Sequence, residues 1–262
     1  MMITSMQNQQ VKQVIRLLDK GSKARRETGL FVAEGRKMFW EAPDSLVERI
    51  FVSESVQKED APLMRRASSF PYEVVADGVF KAMSDTKTPQ GVLTVLRYPV
   101  YTPEQLKNPS GLYVVLENLQ DPGNLGTILR MGEAAGISGV FLTRGCADVT
   151  SPKVIRSTMG SIYRVPFVWV EDVKEAAAFL RSFGITLYAA HLQGELFYDE
   201  EDYLAGTAFF IGNEGNGLTE EATRQADRLI KIPMEGEVES LNAAIATSLL
   251  CFEAARQRRK AK

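Results

Sequence analysis

Metal ligands, disulfide partners and long apolar runs are all scarce in this sequence. It has one histidine, His191, and two cysteines, Cys146 and Cys251, in 262 residues. Two cysteines are too few for a disulfide framework or a cysteine zinc site, and a lone histidine argues against a catalytic metal centre, so no metal is expected. Both cysteines sit in apolar segments, where a buried, reduced thiol is the expected state. No segment approaches the roughly 18 uninterrupted apolar residues of a membrane span. The start, Met1-Met2-Ile3-Thr4-Ser5, has neither the charge nor the apolar stretch of a signal peptide. A cytoplasmic protein with no membrane partner is expected. The chain also has no internal repeat and no low-complexity tract.

What is present is a globular composition, 45% hydrophobic and 24% charged, enough for one large domain or two smaller ones. A net charge of −2 argues against nucleic acid only if it is evenly spread. It is not. Residues 1–40 hold eight basic side chains (Lys12, Arg16, Lys20, Lys23, Arg25, Arg26, Arg36 and Lys37) against three acidic ones, and from Leu250 onward five basic residues face Glu253 alone. Basic ends around an acidic body allow local phosphate contacts. Solvated helix faces explain the same charges equally well.

Val11, Val14, Ile15 and Leu18 recur at helical spacing and predict an amphipathic helix ending near Gly21. A small α/β region follows, with strands near Leu30–Ala33, Arg49–Ser53, Tyr72–Val75 and Val92–Leu96 and helices near Arg36–Ala42, Ala61–Ser68 and Gly78–Met83. Asp77 stands as N-cap of the last helix, and Gly35 offers a permissive corner after the first strand. Arg97–Ser110 has three prolines and no apolar periodicity, as a linker does. The expected division is a domain over 1–97, a linker over 98–110 and a second domain over 111–262. Beyond the linker, strand-like runs (Leu112–Leu116, Val140–Thr143, Ile185–Ala189, Ala208–Ile211 and Leu229–Ile232) alternate with helical patterns, which predicts an α/β fold with a largely parallel sheet.

Three motifs in the second part carry chemistry. The first, Glu117-Asn118-Leu119-Gln120-Asp121-Pro122-Gly123-Asn124 through Arg130, follows a strand, where open α/β sheets bind ligands. Asp121-Pro122-Gly123 reads as a turn and Asn124 as the cap of the next helix, so Asn124 and Arg130 need a bend to converge. A plain turn with a solvated arginine is the bland alternative. In the second, Ser151-Pro152 opens a helix that displays Lys153, Arg156 and Ser157, a grip for RNA phosphates or a solvated surface. The third joins Gly212-Asn213-Glu214-Gly215-Asn216-Gly217-Leu218, Ile232-Pro233-Met234 and Glu239-Ser240-Leu241-Asn242-Ala243-Ala244. A glycine-rich turn between strand and helix lets backbone approach a ligand. It lacks the Lys-Ser/Thr of a P-loop and the spacing of a dinucleotide fingerprint. Glu214 would repel a pyrophosphate, yet it suits a hydroxyl, an amine or a cationic sulfonium. The helix opened by Ser240-Leu241-Asn242 is apolar on nearly every side, so it must be buried, internally or against a second copy.

Together the three motifs, in this order, resemble those of the SpoU/TrmH family of RNA 2′-O-methyltransferases in the SPOUT superfamily. The stretches Gly29-Leu30-Phe31-Val32-Ala33-Glu34-Gly35 and Thr88-Pro89-Gln90-Gly91-Val92 look like that family's N-terminal RNA-binding domain, of ribosomal-protein-like α/β fold. The resemblance implies a deep trefoil knot, a homodimer through the C-terminal domain, S-adenosylmethionine as donor and a ribose 2′-hydroxyl of RNA as acceptor; the separate N-terminal domain favours ribosomal RNA, with transfer RNA as the alternative. It places catalytic roles on Asn124, Arg130, Glu214, Ser240 and Asn242. Cofactor contacts fall on Gly212, Asn213, Glu214, Gly217, Ile232, Met234, Ser240, Leu241 and Ala243, and RNA contacts on Lys23, Arg25, Arg26, Lys153 and Arg156. The family's usual proposal makes the arginine at Arg130 the base; a side chain with a pKa above about 12 is a poor one at neutral pH, so a phosphate clamp is the preferred role. A doubly wound nucleotide-binding oxidoreductase and a non-catalytic RNA-binding protein are the alternatives from the residues alone.

Overall fold

Val11, Val14 and Leu17 lie on one face of helix α1 (Gln9–Leu18) and are buried, as an amphipathic stripe requires. Asn8 caps it by accepting from the N–H groups of Gln10 and Val11. The structure, a computed structural model, describes residues 2–19, 23–192, 194, 196–238 and 240–261. The expected helix end at Gly21 therefore lies outside the described residues, as do Lys20, Glu239 and Lys262.

Contacts divide the chain into two units, Met1–Pro99 with Asp148–Tyr163, and Val100–Ala147 with Arg164–Lys262. The first unit continues through α2 (Lys23–Thr28), β1 (Leu30–Glu34), α3 (Arg36–Glu41), β2 (Val47–Ser53), α4 (Glu54–Glu59), α5 (Ala61–Ala67), β3 (Tyr72–Val75), α6 (Asp77–Met83) and β4 (Val92–Arg97). Its sheet runs β1-β4-β2-β3, with only β2 and β3 parallel. Neighbouring strand residues point to opposite faces, and both faces are covered: Phe51, Val75 and Leu93 join a cluster with Val11, Val14 and Phe80, while Ile50, Val52, Val74 and Val92 join Phe39 and Leu63. Gly35 has φ +105°, the corner expected of it. Asp77 is not the cap of α6. Ala76 holds that position, and the Asp77 carboxylate instead accepts from the backbone N–H and hydroxyl of Ser55.

The second unit begins with β5 (Leu112–Leu116), α7 (Pro122–Ala135) and β6 (Gly139–Thr143); α8 (Pro152–Thr158) then belongs to the first unit, where it packs on β1. The chain returns through β7 (Phe167–Val170), α9 (Val173–Ser182), β8 (Thr186–Ala190), β9 (Leu196–Phe197), β10 (Thr207–Ile211), α10 (Glu220–Gln225), β11 (Arg228–Lys231) and α11 (Ala243–Lys260). The seven strands are all parallel, in the order β7-β6-β5-β10-β8-β11-β9. Every residue of β5, β6 and β10 is buried, as a parallel sheet covered on both faces demands. The proline-rich stretch is partly built in: Pro103–Leu106 forms a 3-10 turn that buries Leu106, and Tyr101 meets Phe167 edge-on at 5.9 Å.

Helix α11 packs on α7, β10 and β5. Its far end is clamped by Arg258, which donates to the carbonyls of Tyr203 (2.8 Å), Ser110 (3.0 Å), Gly111 (3.2 Å) and Ala205 (2.6 Å). Within the single chain its burial is one-sided. Ala243, Ala244, Thr247, Leu250, Cys251 and Ala254 face inward, but Ile245, Leu249 and Phe252 form an exposed stripe at i, i+4 and i+7.

Candidate active site

Because all strands of the second sheet are parallel, the loops after β5, β10 and β11 leave from one edge. The first begins at Glu117, a buried carboxylate that accepts from the Thr219 N–H (2.9 Å) and hydroxyl (2.7 Å). This bond ties the end of β5 to the far end of the glycine-rich loop. A carboxylate directly after the all-apolar run Leu112–Leu116 is the sequence signal for this role, which the motif alone does not assign. Asp121, not Asn124, caps α7, accepting from the Asn124 N–H at 2.8 Å. The correction matters, because it frees the Asn124 carboxamide: its Nδ2 donates to Glu214 Oε1 (3.0 Å), and its Oδ1 accepts from Asn242 Nδ2 (2.9 Å).

The glycine-rich loop folds on itself through an antiparallel bridge, with Asn213 N–H to Gly217 O at 3.0 Å and Gly217 N–H to Asn213 O at 2.9 Å. Asn213 stiffens it further, accepting from the N–H of Gly215 (2.9 Å) and Asn216 (3.2 Å) and donating to Asn118 O (2.9 Å). A Cβ on Gly212 would lie 2.1 Å from the Gly217 carbonyl carbon and 2.3 Å from the Leu218 nitrogen. Only glycine lets the two limbs close. Glu214 turns back from this loop and accepts from the N–H of Gln120 (3.2 Å) and Asp121 (2.9 Å) as well as from Asn124. Burial pushes its pKa up, but the Asn124 and backbone donors outweigh that and hold it below the ordinary carboxylate value. Glu214 is a clasp between the loop and the start of α7.

The third loop follows β11, which pairs with the opposite side of β8 from β10. Phe210, Ala189 and Leu229 are in register across the three strands, so the two loops start about 10 Å apart. Ile232 and Met234 are half-buried there. Asn242 then caps α11, accepting from the N–H of Ala244 (2.9 Å) and Ile245 (3.3 Å) while it donates to Asn124. Ser240 is exposed, Leu241 half-buried and Ala243 buried. A recess of about 260 Å³ opens beside the loop, lined by His191, Leu218, Glu220, Thr223 and Arg224.

The structure therefore joins Asn124, Glu214 and Asn242 in one hydrogen-bonded chain and leaves Arg130 outside it. Helix α7 runs unbroken from Pro122 to Ala135, so Arg130 sits about 9 Å further along the axis and on another face, exposed to solvent. Of the residues expected to touch RNA, Lys23, Arg26 and Lys153 are exposed. Lys23 pairs with Glu27 at 3.2 Å, and Arg156 with Asp85. Arg25 needs correction. It is 4% exposed, and its guanidinium is committed to Asp148 and to the carbonyls of Leu17 and Asp19, so it is not a surface for RNA.

Among the described residues no three His, Cys, Asp or Glu side chains gather as a metal site, and no helix is long and apolar enough to cross a membrane. Comparison with known proteins matches residues 111–252 to the SpoU rRNA Methylase family and residues 8–94 to the MRM3-like substrate binding domain. An uncharacterised tRNA/rRNA methyltransferase of Synechocystis is 34% identical, over 97% of this chain and 93% of that one. The 23S rRNA (guanosine(2553)-2′-O)-methyltransferase RlmP of Bacillus subtilis is 31% identical over 95% and 97%. An AdoMet-bound rRNA methyltransferase from Sinorhizobium meliloti superposes with a TM-score of 0.87 at 31% identity, covering 98% of this chain and 97% of the other.

Proposed function

The chain belongs to the SpoU rRNA methylase family, and from that premise we propose that it methylates a ribose 2′-hydroxyl of ribosomal RNA with S-adenosylmethionine as donor. The observation that carries this reading is the Glu214–Asn124–Asn242 chain, which ties three loops at the carboxyl edge of one parallel sheet, the edge where open α/β sheets take ligands. The walls suit the donor. Gly212 leaves no room for a side chain, and the segments 212–217, 232–234 and 240–243 offer backbone polar groups to an adenosine and an amino acid carboxylate. When bound, S-adenosylmethionine supplies a methyl on a cationic sulfur that becomes a neutral thioether as the methyl leaves.

The residues of the chain contribute alignment and water exclusion, which are worth about 7–11 kcal/mol in favourable cases. Glu214 and Asn242 hold the Asn124 carboxamide from both sides, so that wall is set before RNA arrives. Arg130, exposed on another face of the same helix, clamps the phosphate beside the reacting ribose from outside that wall. The hydroxyl proton passes to an RNA phosphate oxygen or to water. Incubation with tritiated-methyl donor and ribosomal RNA tests the reading: label should survive alkali in dinucleotides protected at the 2′-oxygen, and label confined to bases or absent would refute it.

The same reading gives the finer architecture. The run from β10 to α11 forms the trefoil knot, supported by the return of α11 from β11, beyond β8, to lie over β5 and β10. A second copy covers Ile245, Leu249 and Phe252 and makes the homodimer. The first unit grips RNA, and the enzyme works in the cytoplasm.

A further inference from the structure

The segment Asp148–Tyr163, which the sequence places amid the methyltransferase motifs, is packed into the first unit. Side-chain contacts among the described residues attach it there. Arg25 donates to Asp148 Oδ2 from Nε (3.1 Å) and Nη2 (2.7 Å), Arg156 pairs with Asp85, and the Tyr163 hydroxyl donates to Met38 O (3.3 Å). In the first the cation itself is buried: the Arg25 side chain is 2% exposed. A buried guanidinium is costly unless its donors are met, and here they are engaged, because Nη1 also reaches Leu17 O (2.5 Å) and Asp19 O (2.7 Å) at the end of α1. Helix α2, with the sequence Lys-Ala-Arg-Arg-Glu-Thr, buries no other residue.

Asp148 is held as firmly. Its Oδ1 accepts from the Thr150 N–H (2.8 Å) and hydroxyl (2.6 Å), which fixes the turn that leads directly into Ser151 and Pro152 at the start of α8. Where Arg25 sits therefore determines where α8 begins. Exposed basic residues lie on both sides of the pair: Lys23 and Arg26 on α2, and Lys153 on the first turn of α8.

Resting on the reading of the chain as an RNA methyltransferase, we propose that Arg25 and Asp148 are positioning residues that dock α8 beside α2, assembling Lys23, Arg26 and Lys153 into one phosphate-binding surface. Neither residue touches RNA. The pair joins positions 123 apart in sequence, so neither helix carries the surface by itself.

Asp148→Asn, Arg25→Lys and Arg25→Ala in the full chain test this, with RNA and donor affinities, turnover and melting measured together. Asp148→Asn should raise KM for RNA about tenfold and flatten the slope of log affinity against log salt by about one phosphate contact. Its kcat at saturating RNA and its donor affinity should stay within twofold of wild type. Arg25→Lys keeps the charge but loses the fork, so its KM should fall between wild type and Arg25→Ala. A folded Asp148→Asn with wild-type RNA KM and salt slope would overturn the proposal, as would an equal loss of donor and RNA affinity, which marks a general loss of structure. If Arg25→Ala does not fold, Asp148→Asn decides alone. Failure of the wild type to methylate RNA would sink the functional reading instead, which keeps the two apart.

Discussion

Gly212→Ala is the sharpest perturbation of the proposed donor pocket. The added Cβ would meet backbone, at 2.1 Å from Gly217 C, 2.3 Å from Gly217 O and 2.3 Å from Leu218 N, and backbone cannot swing aside as a side-chain tip can. The limbs must part, which breaks the paired bonds between Asn213 and Gly217. Overpacking costs about 1–3 kcal/mol, and two hydrogen bonds add about 0.5–1.5 kcal/mol each, so the closed loop loses roughly 2–6 kcal/mol. At about 1.4 kcal/mol per tenfold, even the lower bound raises the Kd for S-adenosylmethionine about thirtyfold, read by titration calorimetry. Gly78→Ala is the control, since a Cβ there meets nothing within 4 Å; on the first turn of α6 it should leave binding unchanged and stabilise slightly. Donor affinity of Gly212→Ala within threefold of wild type would refute the reasoning, because the closed loop would then not be part of the pocket.

Arg130→Lys keeps the charge and loses the fork, and its kcat at saturating RNA should fall about 10²- to 10³-fold; wild-type turnover would remove both a bidentate clamp and an arginine base. Leu249→Glu puts a carboxylate in the exposed stripe of α11, so sedimentation should show a wild-type dimer and a variant monomer, and a dimeric variant would move the interface elsewhere. Arg258→Ala removes four hydrogen bonds to carbonyls, of which those of Gly111 and Ala205 keep Thr207 as a second donor, and should cost about 3 kcal/mol, a melting decrease of roughly 6–12 °C, with donor affinity intact once folded. Glu214 has a depressed pKa, so its clasp is fully present above its unfolded value of about 4.3 and is lost as pH falls through the lower folded value. Donor affinity should therefore hold from neutral pH down to the ordinary carboxylate range and be lost only below it; a transition near neutrality would contradict the clasp.

The strands of the first unit were legible because apolar residues alternate and turn residues bound them, and β3 falls on Tyr72–Val75 as read. Helix α2 was not. It has no apolar period and rests on a buried arginine whose acceptor is 123 residues away. Strand β7 was hidden because Phe167–Val170 trails a basic motif that drew the reading towards RNA. In the site, the order of motifs marked loops that leave one edge of the sheet, but not who bonds whom. Asn124 fits a cap by propensity, and so does Asp121; three-dimensional closure decides, since Glu214 and Asn242 need the carboxamide that a cap would have used. The exposed stripe of α11 was likewise invisible, because an all-apolar helix looks the same whether its own chain or a second copy covers it.

Calorimetric titration of the purified chain with S-adenosylmethionine, beside a matched titration with a nicotinamide dinucleotide, measures the central claim directly. Saturable binding of the methyl donor, one per chain, with no heat from the dinucleotide and a loss of at least tenfold in Asn124→Ala, is the predicted result. Equal affinity for both ligands, or a donor isotherm untouched by Asn124→Ala, would mean that the three loops do not form the pocket.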